Sequence, residues 1–235
     1  MEDLNGKVAL VTGASAGIGA AVARRLHEAG VSVALLSRRG DDLGLDGALG
    51  IACDVTDRSE VERATDETVE RFGKLDIAVA NAGVGSYGPF LDLAPEHLEA
   101  MIDVNLKGTL YTAAAALPHL VASGAGDWVT LASVAGVNAF PGEAVYNASK
   151  FGQVGFTRAL DIEFTERGVR CAIVCPGGVG TDFAIGTGRE AGDPMLEAMM
   201  TPDEVADVVL FGLTRPRSMR MMTSTFRPVS ERSFG

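Results

Sequence analysis

Val8-Ala9-Leu10-Val11-Thr12-Gly13-Ala14-Ser15-Ala16-Gly17-Ile18-Gly19 is the stretch that decides the fold. Its uncharged apolar start reads as a strand buried on both faces, and Ile18 to Ala29, ended by Gly30, reads as a helix. Between them Gly13, Gly17 and Gly19 follow a G-x-x-x-G-x-G spacing. Backbone bare of side chains can approach a pyrophosphate whose charge sits at the helix N-terminus, with Ser15, Ala16 and Ile18 completing the loop. The spacing is not the commoner G-x-G-x-x-G, and a Gly-rich turn that only closes a strand is the alternative.

Outward from this unit the same alternation repeats. Strand patterns cover 31–36, 48–55, 75–80, 128–132, 170–175 and, more weakly, 219–226. Helical patterns cover 61–72, capped by Thr56 or Asp57 and stopped by Gly73, then 95–121, 144–167 and 201–214, the last opened by a Thr201–Glu204 capping box. Near-continuously apolar strands separated by helices imply parallel strands with right-handed crossovers. The expected fold is an α/β, doubly wound, Rossmann-like parallel sheet of about seven strands with helices on both faces, forming a single domain over 1–235. The Gly- and Asp-rich segment 39–47 leaves room for a loop rather than a crossover helix.

Composition narrows the class. The chain has 235 residues, 47% hydrophobic and 22% charged, which suits a globular protein with a sizeable core. Its net charge of -11 argues against nucleic acid and anionic membranes as partners. Arg215, Arg217, Arg220, Arg227 and Arg232 against Glu231 form a basic C-terminal stretch, read as a solvated tail with a subunit contact as the alternative. Cys53, Cys171 and Cys175 lie in strand-like runs; 171 and 175 would stand about 13 Å apart on one strand face, too far for a disulfide. Free buried thiols, no bilayer-length apolar run and a strand pattern from Lys7 make a cytoplasmic location the expectation. His27, His97 and His119 are scattered, and no metal spacing occurs.

Chemistry gathers at the strand ends. Ser37-Arg38-Arg39 follows the second strand, where an acid would select the ribose hydroxyl of NAD. Guanidinium groups match phosphate, which favours NADP over NAD, although Asp41 and Asp42 lie close. Asp54 and Val55 can hold an adenine amine and ring. Asn81, at the fourth strand's end, can tie neighbouring backbone together, and Ala82-Gly83 leave space for a ribose. Ser133 ends the fifth strand. Tyr146 and Lys150 stand four apart, one helical turn, in Val145-Tyr146-Asn147-Ala148-Ser149-Lys150. An ammonium beside a phenol favours the phenolate and lets it exchange a proton near neutral pH.

Together these residues resemble the short-chain dehydrogenase/reductases of the ordinary, roughly 250-residue type. Thr12-Gly13-x-x-x-Gly17-Ile18-Gly19 is similar to that family's cofactor loop, Asn81-Ala82-Gly83 to its strand-end motif, and Pro176-Gly177-Gly178-Val179-Gly180-Thr181 to its turn over the nicotinamide. Asn105, Ser133, Tyr146 and Lys150 fall on its catalytic positions. The resemblance implies an NADP(H)-dependent oxidoreductase acting on a ketone or secondary alcohol, of 3-oxoacyl or hydroxy-acid type. Ser133 and Tyr146 would grip the substrate oxygen, Lys150 would lower the Tyr146 pKa and bind the ribose, Asn105 would hold a water, and Val179 and Thr181 would orient the carboxamide. It also implies a homotetramer, or a homodimer, built on the two long helices. An NAD-linked alcohol dehydrogenase and a non-catalytic dinucleotide-binding regulator are the competing readings. Candidates for the substrate wall are Val84, Ser86, Tyr87, Val134, Asn138, Phe140, Glu143, Gly178 and Phe183; Glu143 reads as a solvated residue at the helix start, with repulsion of acidic substrates or pairing with a cationic one as the alternatives.

Overall fold

The computed structural model describes residues 2–231. Seven parallel strands form one sheet in the order β3-β2-β1-β4-β5-β6-β7. They are β1 (Val8–Thr12), β2 (Ser32–Ser37), β3 (Leu49–Ala52), β4 (Ile77–Ala80), β5 (Asp127–Leu131), β6 (Arg170–Pro176) and β7 (Thr223–Phe226). Successive residues point to opposite faces, and helices cover both. Ala9, Val11, Val33, Leu35, Val79 and Val129 pack on one face against Val22 and Leu26 of α1 (Gly17–Glu28) and Val205 and Val209 of α7 (Pro202–Leu213). Leu10, Leu36, Ala78 and Trp128 pack on the other, against Val61 and Ala64 of α2 (Arg58–Phe72), Leu117 and Leu120 of α4 (Gly108–Ala122) and Leu160 of α5 (Ala144–Phe164). The doubly wound reading of the sequence is the observed architecture.

Boundaries moved where local chemistry intervened. The third strand stops at Ala52, leaving Cys53 just beyond it, because Asp54 takes the Thr56 amide at 2.9 Å and turns the chain. Asp57, not Thr56, caps α2, and Gly73 ends it at φ 82°. The helix expected over 95–121 is three pieces: α3 (Pro95–Ala100), a π-helical segment over Met101–Lys107, and α4. A short α6 (Pro194–Glu197) lies between β6 and α7. The segment 39–48 holds no helix.

The basic C-terminal stretch is not a solvated tail. Arg217 donates to Asp127 at 3.0 Å and to the Gly168 carbonyl at 2.7 Å, and Arg220 pairs with Asp161 at 2.8 Å. These guanidinium groups close the amino edge of the sheet. Arg232 lies outside the described residues. The three cysteines are free and buried, and burial raises their thiol pKa values.

Candidate active site

The sheet order reverses between β1 and β4, so their carboxyl ends splay apart and open a crevice. A cavity of about 970 Å³ occupies it. One end is the glycine loop. Gly13 has φ 64° and Gly17 has φ 54°; a Cβ on Gly13 would lie 2.8 Å from the Ala82 Cα, and one on Gly19 would run into the Asn81 side chain. Only glycine fits these approaches. Asn81 fixes them, donating its Nδ2 to the Thr12 carbonyl at 2.9 Å and the Gly13 carbonyl at 3.2 Å, while Thr12 Oγ1 accepts from the Asn81 and Ala82 amides at 3.0 Å each. The first turn of α1 has no side-chain cap and no acid, in contrast to α2. Its amides and dipole are therefore suited to a diphosphate, and the bare glycine cradle fits a dinucleotide.

The far end of this half holds the three residues beyond β2. Ser37 is buried and its Oγ accepts from the Gly40 amide at 3.1 Å, so that side chain is engaged in the turn. Arg39 is paired with Asp41 at 2.7 Å, while Arg38 is exposed on the cavity rim. Asp54 and Val55 line the adjoining wall, and Ala82, Gly83, Pro176, Gly177, Val179 and Thr181 line the middle.

The other end is built by β5 and α5. Ser133, just past β5, has extended backbone and its Oγ accepts from the Ala135 amide at 3.1 Å. Asn147 locks the following loop to α5: Nδ2 donates to the Ala135 and Asn138 carbonyls at 2.7 and 2.8 Å, and Oδ1 accepts from the Phe140 amide at 3.1 Å. This positioning residue escaped the sequence reading although it adjoins Tyr146. Tyr146 is buried, with Tyr87 edge-on at 5.5 Å and Phe183 tilted at 5.9 Å. Lys150 Nζ lies 5.6 Å from the Tyr146 ring centre and donates to the Leu131 carbonyl at 3.1 Å.

One expectation is corrected here. Burial pushes the Tyr146 phenol up to about 12, outweighing the opposing hydrogen bond from Ser133, and Lys150 is not among the groups that lower it. Burial also brings Lys150 down to about 8. Desolvation disfavours both charged forms, and the ammonium spends a hydrogen bond on Leu131 rather than on the phenol. The Asn105 side chain is engaged with the loop after β4 and with α5. Its Oδ1 accepts from the Val84 amide at 2.7 Å, and its Nδ2 donates to the Val84 carbonyl at 2.9 Å and Ser149 Oγ at 3.0 Å. Asn105 and Gly19 lie behind the cavity wall rather than on it. So do Ser86, which bonds His97 at 3.1 Å, and Asn138. Val84, Tyr87, Val134, Phe140, Glu143, Gly178 and Phe183 do line the cavity, joined by Arg189, Arg227 and Glu231, which no local motif marks.

No helix of the described residues is long and apolar enough to cross a membrane. Residues 7–191 match the family model described as short chain dehydrogenase. The chain is 34% identical to an uncharacterized oxidoreductase of Staphylococcus aureus over 97% of its own length and 100% of the relative's. It is 38% identical to a glycine betaine reductase of Emericella nidulans over 97% of its own length, but spans only 19% of that much longer protein. The solved structure of a serine dehydrogenase, in a closed form complexed with NADP+, superposes with a TM-score of 0.90 at 30% identity, covering 97% of each chain. The glycine cradle and the cluster of Ser133 with the buried Tyr146 and Lys150 thus lie on the frame of known oxidoreductases, and the chain belongs to the short-chain dehydrogenase family.

Proposed function

We propose that the chain is an NADP(H)-dependent oxidoreductase that interconverts a ketone and a secondary alcohol, of the 3-oxoacyl or hydroxy-acid type. The observation that carries this reading is that one cavity holds both the glycine cradle and Ser133, Tyr146 and Lys150. Bound NADP(H) supplies the hydride, so that ketone, NADPH and a proton become alcohol and NADP+. Tyr146 is a phenol held protonated by burial, which suits it to donate to a carbonyl oxygen, with Ser133 as the second donor. Lys150 stands one turn further on and lines the cavity, where its ammonium would meet the ribose. Gly13 to Gly19, Asp54, Val55, Asn81 to Gly83, and Pro176 to Thr181 would hold the dinucleotide. The preference for NADP rests on Arg38, since Arg39 is paired with Asp41. That pair is also what favours the second reading, an NAD-linked alcohol dehydrogenase.

The test is NADPH absorbance with a panel of ketones, 3-oxo esters and hydroxy acids, repeated with NADH. Tyr146→Phe should lose turnover by about 100- to 10,000-fold while still binding NADPH. Near-normal activity in that variant would reject the acid–base role. Arg38→Ala should weaken NADPH more than NADH, and equal losses would remove Arg38 from the cofactor preference. A cytoplasmic, single-domain homotetramer completes the reading. Phe151 and Ile162, exposed on α5, support the assembly, and a stable monomer in light scattering would refute it.

A further inference from the structure

The turn after β6, Gly177 to Thr181, lines the cavity, and its backbone is held from outside. Phe226, the last residue of β7, accepts from the Gly177 amide at 2.8 Å. The Met200 amide donates to the Gly178 carbonyl at 3.2 Å, and the Met200 carbonyl accepts from the Gly180 amide at 2.9 Å. The Gly178 amide goes to a side chain instead: Glu231 Oε1 accepts from it at 2.6 Å. The segment that brings Glu231 there is itself tied down. The Glu231 amide donates to the Pro228 carbonyl at 3.0 Å, Ser230 Oγ donates to the Ala198 carbonyl at 2.7 Å, and Arg227 lies 5.4 Å over Phe140. Residues 227–231 thus form a strap that joins the turn to the segment after α6.

The glycines of the turn record this contact. Neither Gly177 nor Gly178 has φ in the left-handed region, so backbone conformation does not call for glycine at either. Close approach does. A Cβ on Gly178 would stand 2.6 Å from Glu231 Oε1, and one on Gly177 would stand 2.8 Å from Glu231 Oε2 and 3.2 Å from the Arg227 Cα. Among the described residues Glu231 is in no ion pair, and the Gly178 amide is the partner the structure gives its carboxylate. An ionised acceptor makes that hydrogen bond stronger than a backbone carbonyl would.

We propose that Glu231 is a positioning residue for the nicotinamide half of the site: through the Gly178 amide it holds the turn in its binding shape before the cofactor arrives. The proposal rests on the oxidoreductase reading above, which puts the nicotinamide against this turn. A turn already held takes the ring without first being ordered. Once released, it is in the competent shape for only a fraction of the time, and affinity falls by that fraction. The adenine and diphosphate would lie on the glycine cradle and beside Val55, so they would not sense the loss.

The test is calorimetric binding of NADPH against 2'-phospho-ADP-ribose, the same molecule without the ring, with NADH against ADP-ribose alongside. The unmodified protein should bind NADPH more tightly than the fragment. Glu231→Leu should weaken NADPH by about 10-fold or more and leave the fragment as it is. Glu231→Gln keeps an acceptor for the amide and should recover part of the loss. Gly178→Ala places a methyl where the carboxylate sits and releases the turn with Glu231 still present. It should reproduce the ring-selective loss, and it carries the test if Glu231→Leu does not fold. The double variant should lose little more than either single one, because both break the same contact. NADPH affinity unchanged in Glu231→Leu, or reduced equally for NADPH and the fragment, would overturn the proposal alone. So would a Gln variant no better than Leu, additive losses in the double variant, or an unmodified protein that binds NADPH no more tightly than the fragment. An unmodified protein that binds neither NADPH nor NADH would overturn the oxidoreductase reading, and this proposal with it.

Discussion

Lys150 is a cation in surroundings that disfavour charge. It is 4% exposed, has one hydrogen-bond acceptor in Leu131, and burial lowers its pKa to about 8. An apolar side chain of similar length would pack there at less cost, so Lys150→Met is expected to stabilise the protein at pH 7 without cofactor while abolishing turnover. Each unit by which burial lowers that pKa is worth about 1.4 kcal/mol at pH 7, or roughly 2–4 °C in Tm per kcal/mol at this chain length. The pH dependence has a definite sign. Between about pH 8 and the ordinary lysine value the unfolded chain binds more protons than the folded one, so stability of the unmodified protein rises with pH through that window. The advantage of the variant is full below pH 8 and fades above it. Thermal melts of both proteins at pH 7 and pH 10 check this, and a variant that melts lower at pH 7 would refute it. The Tyr146–Lys150 pairing is legible in sequence because four residues make one turn. The upward shift of the phenol is not, because burial comes from Tyr87 and Phe183, which are remote along the chain.

Among elements, the π-helical segment Met101–Lys107 has the most specific task. The Asn105 carbonyl accepts from Gln153 Nε2 at 2.8 Å and from Thr109 Oγ1 at 2.7 Å, and its side chain binds both backbone groups of Val84. The segment thereby holds the strand-end loop after β4 against α5. Asn105→Ala would leave the Val84 amide and carbonyl without these partners, at a cost of about 2–4 kcal/mol, seen as a Tm roughly 5–15 °C lower. Val84 lines the cavity, so KM should rise more than kcat falls. An unchanged Tm, or a kcat loss at constant KM, would contradict this role. Helix and strand identities were readable here because apolar spacing is set by burial against one sheet. The π step was not, since Gln153 and Ser149 that impose it lie more than forty positions away. For the same reason Arg189 and Arg227 escaped: their place in the cavity comes from how segments after β6 and β7 fold back over it.

The whole molecule divides its charges between the two edges of the sheet. At the carboxyl edge, residues from β1, β4, β5 and β6 converge on the cavity, and among the described residues most of the charge there, the Arg39–Asp41 pair excepted, is in no ion pair. At the amino edge it is paired and buried. Asp127, 3% exposed at the start of β5, accepts from Arg170 at 2.7 Å and Arg217 at 3.0 Å, with Lys7 at 3.8 Å. Arg170 also donates to the carbonyls of Leu213, Arg215 and Met219, which joins the end of α7 and the chain after it to the sheet. Breaking a buried pair by removing one charge costs about 3–5 kcal/mol, because its partners stay buried. Asp127→Asn should therefore lower Tm by roughly 6–20 °C, and the difference should persist at high salt, since screening reaches buried pairs poorly. Asp127 and Leu131 are separated by the length of β5, about 13 Å, so kcat and KM measured well below the melting range should stay as they are. Melts at low and high salt, with kinetics on the same samples, separate the outcomes. A Tm loss that salt erases would mark the cluster as surface electrostatics, and an altered KM would mean that the two edges of the sheet are mechanically coupled.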